Sequence, residues 1–132
     1  MKKSPPPVEV HLEEMVKAKC NQILLARLHS GSMALGVKDL TRTGYLFHFS
    51  ELSPNGLIQK INLIRRDYCL LHQTHVYLTG VNHTSQKLYE IHECIERVIE
   101  RYFNPNRIKV NWLDQDSAMF YLNPNKPFKL VI

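Results

Sequence analysis

Between residues 84 and 103 the apolar side chains of Leu88, Ile91, Ile95, Val98 and Tyr102 recur at steps of three and four. That spacing predicts one amphipathic helix with a single buried face. After Asn104-Pro105-Asn106 the period falls from about 3.6 to about 2. Three strands are therefore expected, over 107–113, 118–122 and 128–132. Polar turns at 114–117 and 123–127 are short enough to favour a meander.

A second stripe runs through Leu12, Val16, Cys20, Ile23, Leu24 and Leu28, with Met15 at its edge. Glu9, Glu13 and Glu14 lie near one end, and Arg27 and His29 near the other. This is the polarity a helix dipole favours. The stripe predicts a helix from about Val8 or Val10 to about His29, stopped by Ser30-Gly31-Ser32. Residues 33–43 hold too few apolar positions to assign. Tyr45-Leu46-Phe47-His48-Phe49 is aromatic and predicts a strand. Residues 54–66 fit helical spacing, with Ser53 as cap and Pro54 at the first position; a hairpin through Asn55-Gly56 is the alternative. From Tyr68 to Thr79 the chain reads as strand, strongest from His75 onward. Together these predict a flexible Lys/Pro-rich leader at 1–7 and a single α+β domain over 8–132. Two long helices and a short third would pack on one face of a mostly antiparallel sheet of four or five strands.

Composition narrows the class without choosing a chemistry. The chain has 132 residues, 44% of them hydrophobic and 22% charged, enough for a real core. No apolar run approaches the ~20 residues that span a bilayer, and the proline-led N-terminus lacks a signal peptide's apolar centre. A cytoplasmic protein is the expectation. Three separated cysteines, Cys20, Cys69 and Cys94, do not form a disulfide framework and read as reduced, partly buried thiols. The net charge of +5 permits an anionic partner. Its excess falls in two stretches, one with Lys38, Arg42, Lys60, Arg65 and Arg66, the other with Arg101, Arg107, Lys109, Lys126 and Lys129.

Three constellations invite a chemical reading. Cys69, His72, His75, His83, His92 and Cys94 are numerous enough for a zinc site, but strand and helix spacing turns the closest pairs apart. No metal and no cofactor is expected. The strand–loop–helix at 80–87 could hold an anion on Asn82, His83, Thr84, Ser85 and Lys87, where free amides and a helix N-terminus meet; ordinary helix capping accounts for the same residues. It lacks the glycine pattern of a Walker A loop. If the charge serves a nucleic acid, the candidate contacts are Arg42, Lys60, Arg65, Arg66, Arg107 and Lys109. The Gly-Tyr-x-Phe run at 44–47 faintly matches an RNA-reading strand, and one buried aromatic face explains it more simply. Serines lack a nucleophile-elbow setting, and Glu90, Glu93, Glu96 and Glu100 space out as a solvated helix face.

The expected function is thus a non-catalytic interaction or regulatory protein, a homodimer binding a protein or nucleic-acid partner. The apolar C-terminal run Phe128-Lys129-Leu130-Val131-Ile132 supplies a strand edge for self-pairing. The alternative is a small enzyme working on an anionic substrate through 80–87 and nearby histidines.

Overall fold

The computed structural model describes residues 6–19, 21–39, 42–50, 54–67, 74–81 and 86–132, and all their side chains except those of 54, 67 and 86–89. Within them the chain forms β1 (Val8–Glu9), β2 (Met15–Lys19), β3 (Leu24–His29), β4 (Met33–Lys38), β5 (Thr43–Phe49), α1 (Pro54–Asp67) and β6 (His75–Val81). After these come α2 (Gln86–Tyr102), β7 (Ile108–Leu113), β8 (Ser117–Leu122) and β9 (Lys129–Val131). No helix among the described residues is long and apolar enough to cross a membrane.

The strands divide into a five-stranded sheet in the order β2-β5-β4-β6-β7 and a four-stranded sheet in the order β1-β3-β8-β9. Both are mixed: β6 and β7 are parallel, as are β1 and β3, and the other ladders are antiparallel. The parallel pair β6–β7 is joined through α2, the crossover that parallel neighbours require. Helices cover one face of the five-stranded sheet, where Leu57, Ile61, Ile64, Ile95, Val98 and Ile99 meet Leu35, Phe47, Phe49 and Leu78. The other face meets the second sheet through Leu46, Tyr77, Leu24, Ala26, Phe120 and Leu122. The result is three layers, helices, sheet and sheet, with two cores.

Strand β4 is central in its sheet and shows why a short run can escape a periodicity search. Met33, Ala34, Leu35, Gly36 and Val37 are all buried, so the strand is apolar on both faces and does not alternate. At Gly36 the second sheet comes very close. A Cβ there would lie 2.9 Å from Phe128 Cε1 and 3.0 Å from Phe120 Cε1.

The expected architecture, two long helices on one face of one sheet, is overturned. The molecule is mostly strand, in two sheets. The largest error is the helix over 8–29, where the chain makes β1, β2 and β3. Its supposed stripe includes Leu12, which is 40% exposed, and Glu13 has φ 71°, which interrupts any helix. What decides the segment is distant pairing: β2 runs along β5, and all six residues of β3 pair with β8. The acids read as dipole partners serve elsewhere, Glu9 as an ion pair to Arg27 and Glu13 as an acceptor from the Ser50 hydroxyl. The meander also fails, because β7 ends one sheet while β8 and β9 lie in the other.

Other expectations stand. Helices form at Pro54–Asp67, so the Asn55-Gly56 hairpin does not, and at Gln86–Tyr102. Ile95 and Val98 are buried as the stripe required, and Ile91 and Tyr102 are half-buried against the same core. The side chain of Leu88 lies outside the described residues, as do 68–73 of the expected strand and 1–5 of the leader.

Candidate anion-binding site

The sheets part at the end where β4 finishes and β6 and β7 begin. Pairing places Lys38 opposite His75, and Tyr77 opposite both Gly36 and Lys109. Side chains at alternate positions share a face. Lys38, His75, Tyr77 and Lys109 therefore all stand on the face turned toward the second sheet, where Tyr77 meets Phe120 and Phe128 at ring-centroid distances of 5.2 and 5.6 Å. The connection from β8 to β9 passes over this end and brings Pro124, Lys126 and Phe128 to the opposite wall. Between the walls is an open cleft of about 560 Å³.

Four cations line it, Lys38, Arg107, Lys109 and Lys126, against one carboxylate, Asp39, for a net charge of +3 by four minus one. Cations and rings interleave. The Lys38 ammonium lies 4.7 Å from the Phe128 centroid and that of Lys109 lies 5.3 Å from the Tyr77 centroid, both within cation–π range. Lys38 Nζ also donates to the Lys126 carbonyl, closing the cleft floor between the two sheets. Burial alone holds its pKa below the ordinary lysine value, because charge is costly where water is partly excluded. Arg107 Nη1 donates to His75 Nε2 at 3.2 Å, which fixes that imidazole as an acceptor beside a guanidinium. An adjoining depression lined by Arg42, Asp39, Pro124 and Asn125 extends the basic track. A recess with an apolar floor and a cationic rim suits a ligand carrying both negative charge and an apolar or aromatic body.

Of the expected nucleic-acid residues, the structure gathers Arg107 and Lys109 in the cleft and Arg42 beside it. Lys60, Arg65 and Arg66 belong to α1 in the helical layer, on the far face of the five-stranded sheet. There Lys60 lies over the Phe47 ring and Arg65 over Tyr102. They do not join the other three. Lys38, Lys126, Tyr77 and Phe128 escaped the sequence reading. Lys38 and Lys126 contributed only to a charge count, since nothing local indicates that residues 88 apart in sequence meet.

The anion candidates Asn82, His83, Thr84 and Ser85 lie outside the described residues, and so does the side chain of Lys87. Among the histidines, His72 and His83 also lie outside, His75 faces the cleft, and His92 is buried in stacking contact with Trp112. Among the described residues no three His, Cys, Asp or Glu side chains come together as a metal would need. Cys94 is a free thiol and exposed, whereas the sequence suggested partial burial; Cys20 and Cys69 are outside the described residues.

A second polar feature lies at the opposite end of the inter-sheet space. His48 is 3% exposed, and its Nδ1 is 3.0 Å from the Val10 carbonyl, which can only accept, so Nδ1 carries the proton. Its Nε2 is buried with no hydrogen-bond partner among the described residues. Burial is the main cause of a lowered pKa, consistent with a neutral ring. The backbone of His48 is tied on both sides to residues 13 and 14, by Glu13 N to His48 O at 2.7 Å and His48 N to Glu14 O at 3.0 Å. These bonds make it an anchor for the chain between β1 and β2. Comparison of the sequence with protein-family models and with curated proteins finds no match, so the functional reading rests on the cleft itself.

Proposed function

We propose that this is a non-catalytic binding protein that holds a nucleic acid in the basic cleft and works as a homodimer in the cytoplasm. The observation that carries the nucleic-acid reading is the convergence of Lys38, Arg107, Lys109 and Lys126 on one cleft with a single carboxylate. Phosphates contribute most of the affinity in such complexes, and lysine and arginine supply their contacts. Self-association rests on β9, which among the described residues pairs with β8 alone and so stands at the edge of its sheet. An exposed free thiol at Cys94 suits a reducing compartment.

The test is an oligonucleotide titration at several salt concentrations. Log affinity should fall linearly with log salt, by about 0.7 to 0.9 per phosphate neutralised. Replacing Arg107 and Lys109 together with Ala should flatten the slope by about 1.4 to 1.8 units. Replacing Arg65 and Arg66 should leave it unchanged, because they lie in the other layer. Absence of binding at low salt would remove the nucleic acid and leave a protein partner.

A further inference from the structure

The cleft is built from two chemistries in separate places. Tyr77 and Phe128 form an apolar floor, and Arg107, Lys109 and Lys126 form a cationic rim. A duplex stacks its bases inside and offers a recess only phosphates and groove edges, which leaves such a floor uncovered. A single strand can turn a base out of its own stack and lay it on an aromatic wall. The volume of about 560 Å³ falls in the range of sites that enclose one small ligand, so the recess suits one nucleotide unit rather than a helix.

Resting on the nucleic-acid reading above, we propose that the cleft seats one unit of a single-stranded nucleic acid. Its base lies on the half-buried ring of Phe128, with the buried Tyr77 packed behind it, and its flanking phosphates meet Arg107 and Lys109 on one side and Lys126 on the other. Lys38 acts as the hinge of this arrangement. Its ammonium now occupies the face of Phe128, half-buried, with the Lys126 carbonyl as acceptor. An entering base displaces it from the ring toward the incoming phosphate, which supplies the counter-charge that burial withholds. The depression beside Arg42 gives the strand its continuation.

Fluorescence anisotropy on the full chain tests this with four probes: a labelled single strand, the same sequence as duplex, the strand with its bases removed, and a free nucleoside monophosphate. The single strand is expected to bind at least about tenfold tighter than the duplex at equal salt. Removing the bases should cost about tenfold or more, as base–aromatic stacking does elsewhere. Phe128→Ala should lower single-strand affinity with the salt slope unchanged. Because Phe128 also packs on Phe120, Phe128→Leu, which keeps an apolar side chain and removes the ring, should show the same loss. Equal affinity for duplex or base-free strand, with a slope still set by Arg107 and Lys109, would overturn the single-strand inference and leave the nucleic-acid reading intact. A mononucleotide binding as tightly as the strand would overturn it in favour of a small-molecule site. No binding by any probe would overturn both readings.

Discussion

His92 and Trp112 offer a quantitative check on how α2 meets the five-stranded sheet. The imidazole lies flat on the indole, centroids 3.7 Å apart and planes within 6°, and is 3% exposed. Burial lowers its pKa from 6.5 to about 4, since the protonated ring would lose its water without replacement. The sign follows from linkage. Above pH 6.5 the ring is neutral in both states and stability is complete. As pH falls below 6.5 the unfolded chain takes the proton first, so unfolding becomes easier until the folded ring titrates near 4. The window is about 2.5 pH units wide, and at about 1.36 kcal/mol per unit it costs about 3 kcal/mol. Urea denaturation of the wild type and of His92→Phe, at about pH 7.5 and about pH 4.5, isolates this contribution from that of the carboxylates. Trp112 is the only tryptophan, and because its indole also donates to Glu96, the part of its pH-dependent emission that is lost in His92→Phe reports the same event, with an apparent midpoint near 4 expected. A midpoint near 6.5, or identical pH dependence in the two proteins, would refute the buried stack.

Ile95, 2% exposed beneath α2, should cost about 2–5 kcal/mol when replaced with Ala; a loss below about 0.5 kcal/mol in chemical denaturation would contradict its packing. Gly36→Ala should destabilise by about 1–3 kcal/mol, because Phe120 is wholly buried and cannot yield freely; an unchanged urea midpoint would show the sheets are looser than the 3.0 Å approach implies. Cys94 should react with a thiol reagent in the native protein, and a reaction requiring denaturant would contradict its exposure. Dialysis against a chelator should leave the melting temperature unchanged, while stoichiometric zinc whose loss unfolds the domain would overturn the metal-free reading.

The sequence revealed elements with a strong local signal. α2 has a clean apolar stripe with one buried face, and β5 is dense in aromatic residues, Tyr45, Phe47 and Phe49, although both of its faces are buried. It misled where two-sided burial leaves no such signal or where pairing is imposed from afar. β4 is apolar throughout, and β3 reads Leu-Leu-Ala-Arg-Leu-His, which carries no clear period. Spacing that matched a helix over 8–29 was an accident of three short strands joined by turns. The cleft was half legible for the same reason. Arg107, just before β7, and Lys109, within it, are two residues apart, but Lys126 arrives from a connection in the other sheet and Lys38 from a strand whose partner β6 lies far along the chain.

The pairing of β3 with β8 sets a timetable for folding. Leu24–His29 are synthesised long before their ladder partner Ser117–Leu122. The β4–β5 hairpin can form as soon as both strands are made, since few residues separate them. β3 must instead wait, its donors and acceptors toward β8 unpaired, until that distant segment leaves the ribosome. Such a strand in a nascent chain is an invitation to aggregate, and closing so long a loop slows folding. Truncation that removes β8 and β9 would leave the early segment without its partner permanently, so this protein should tolerate changes at α1 far better than loss of those two strands.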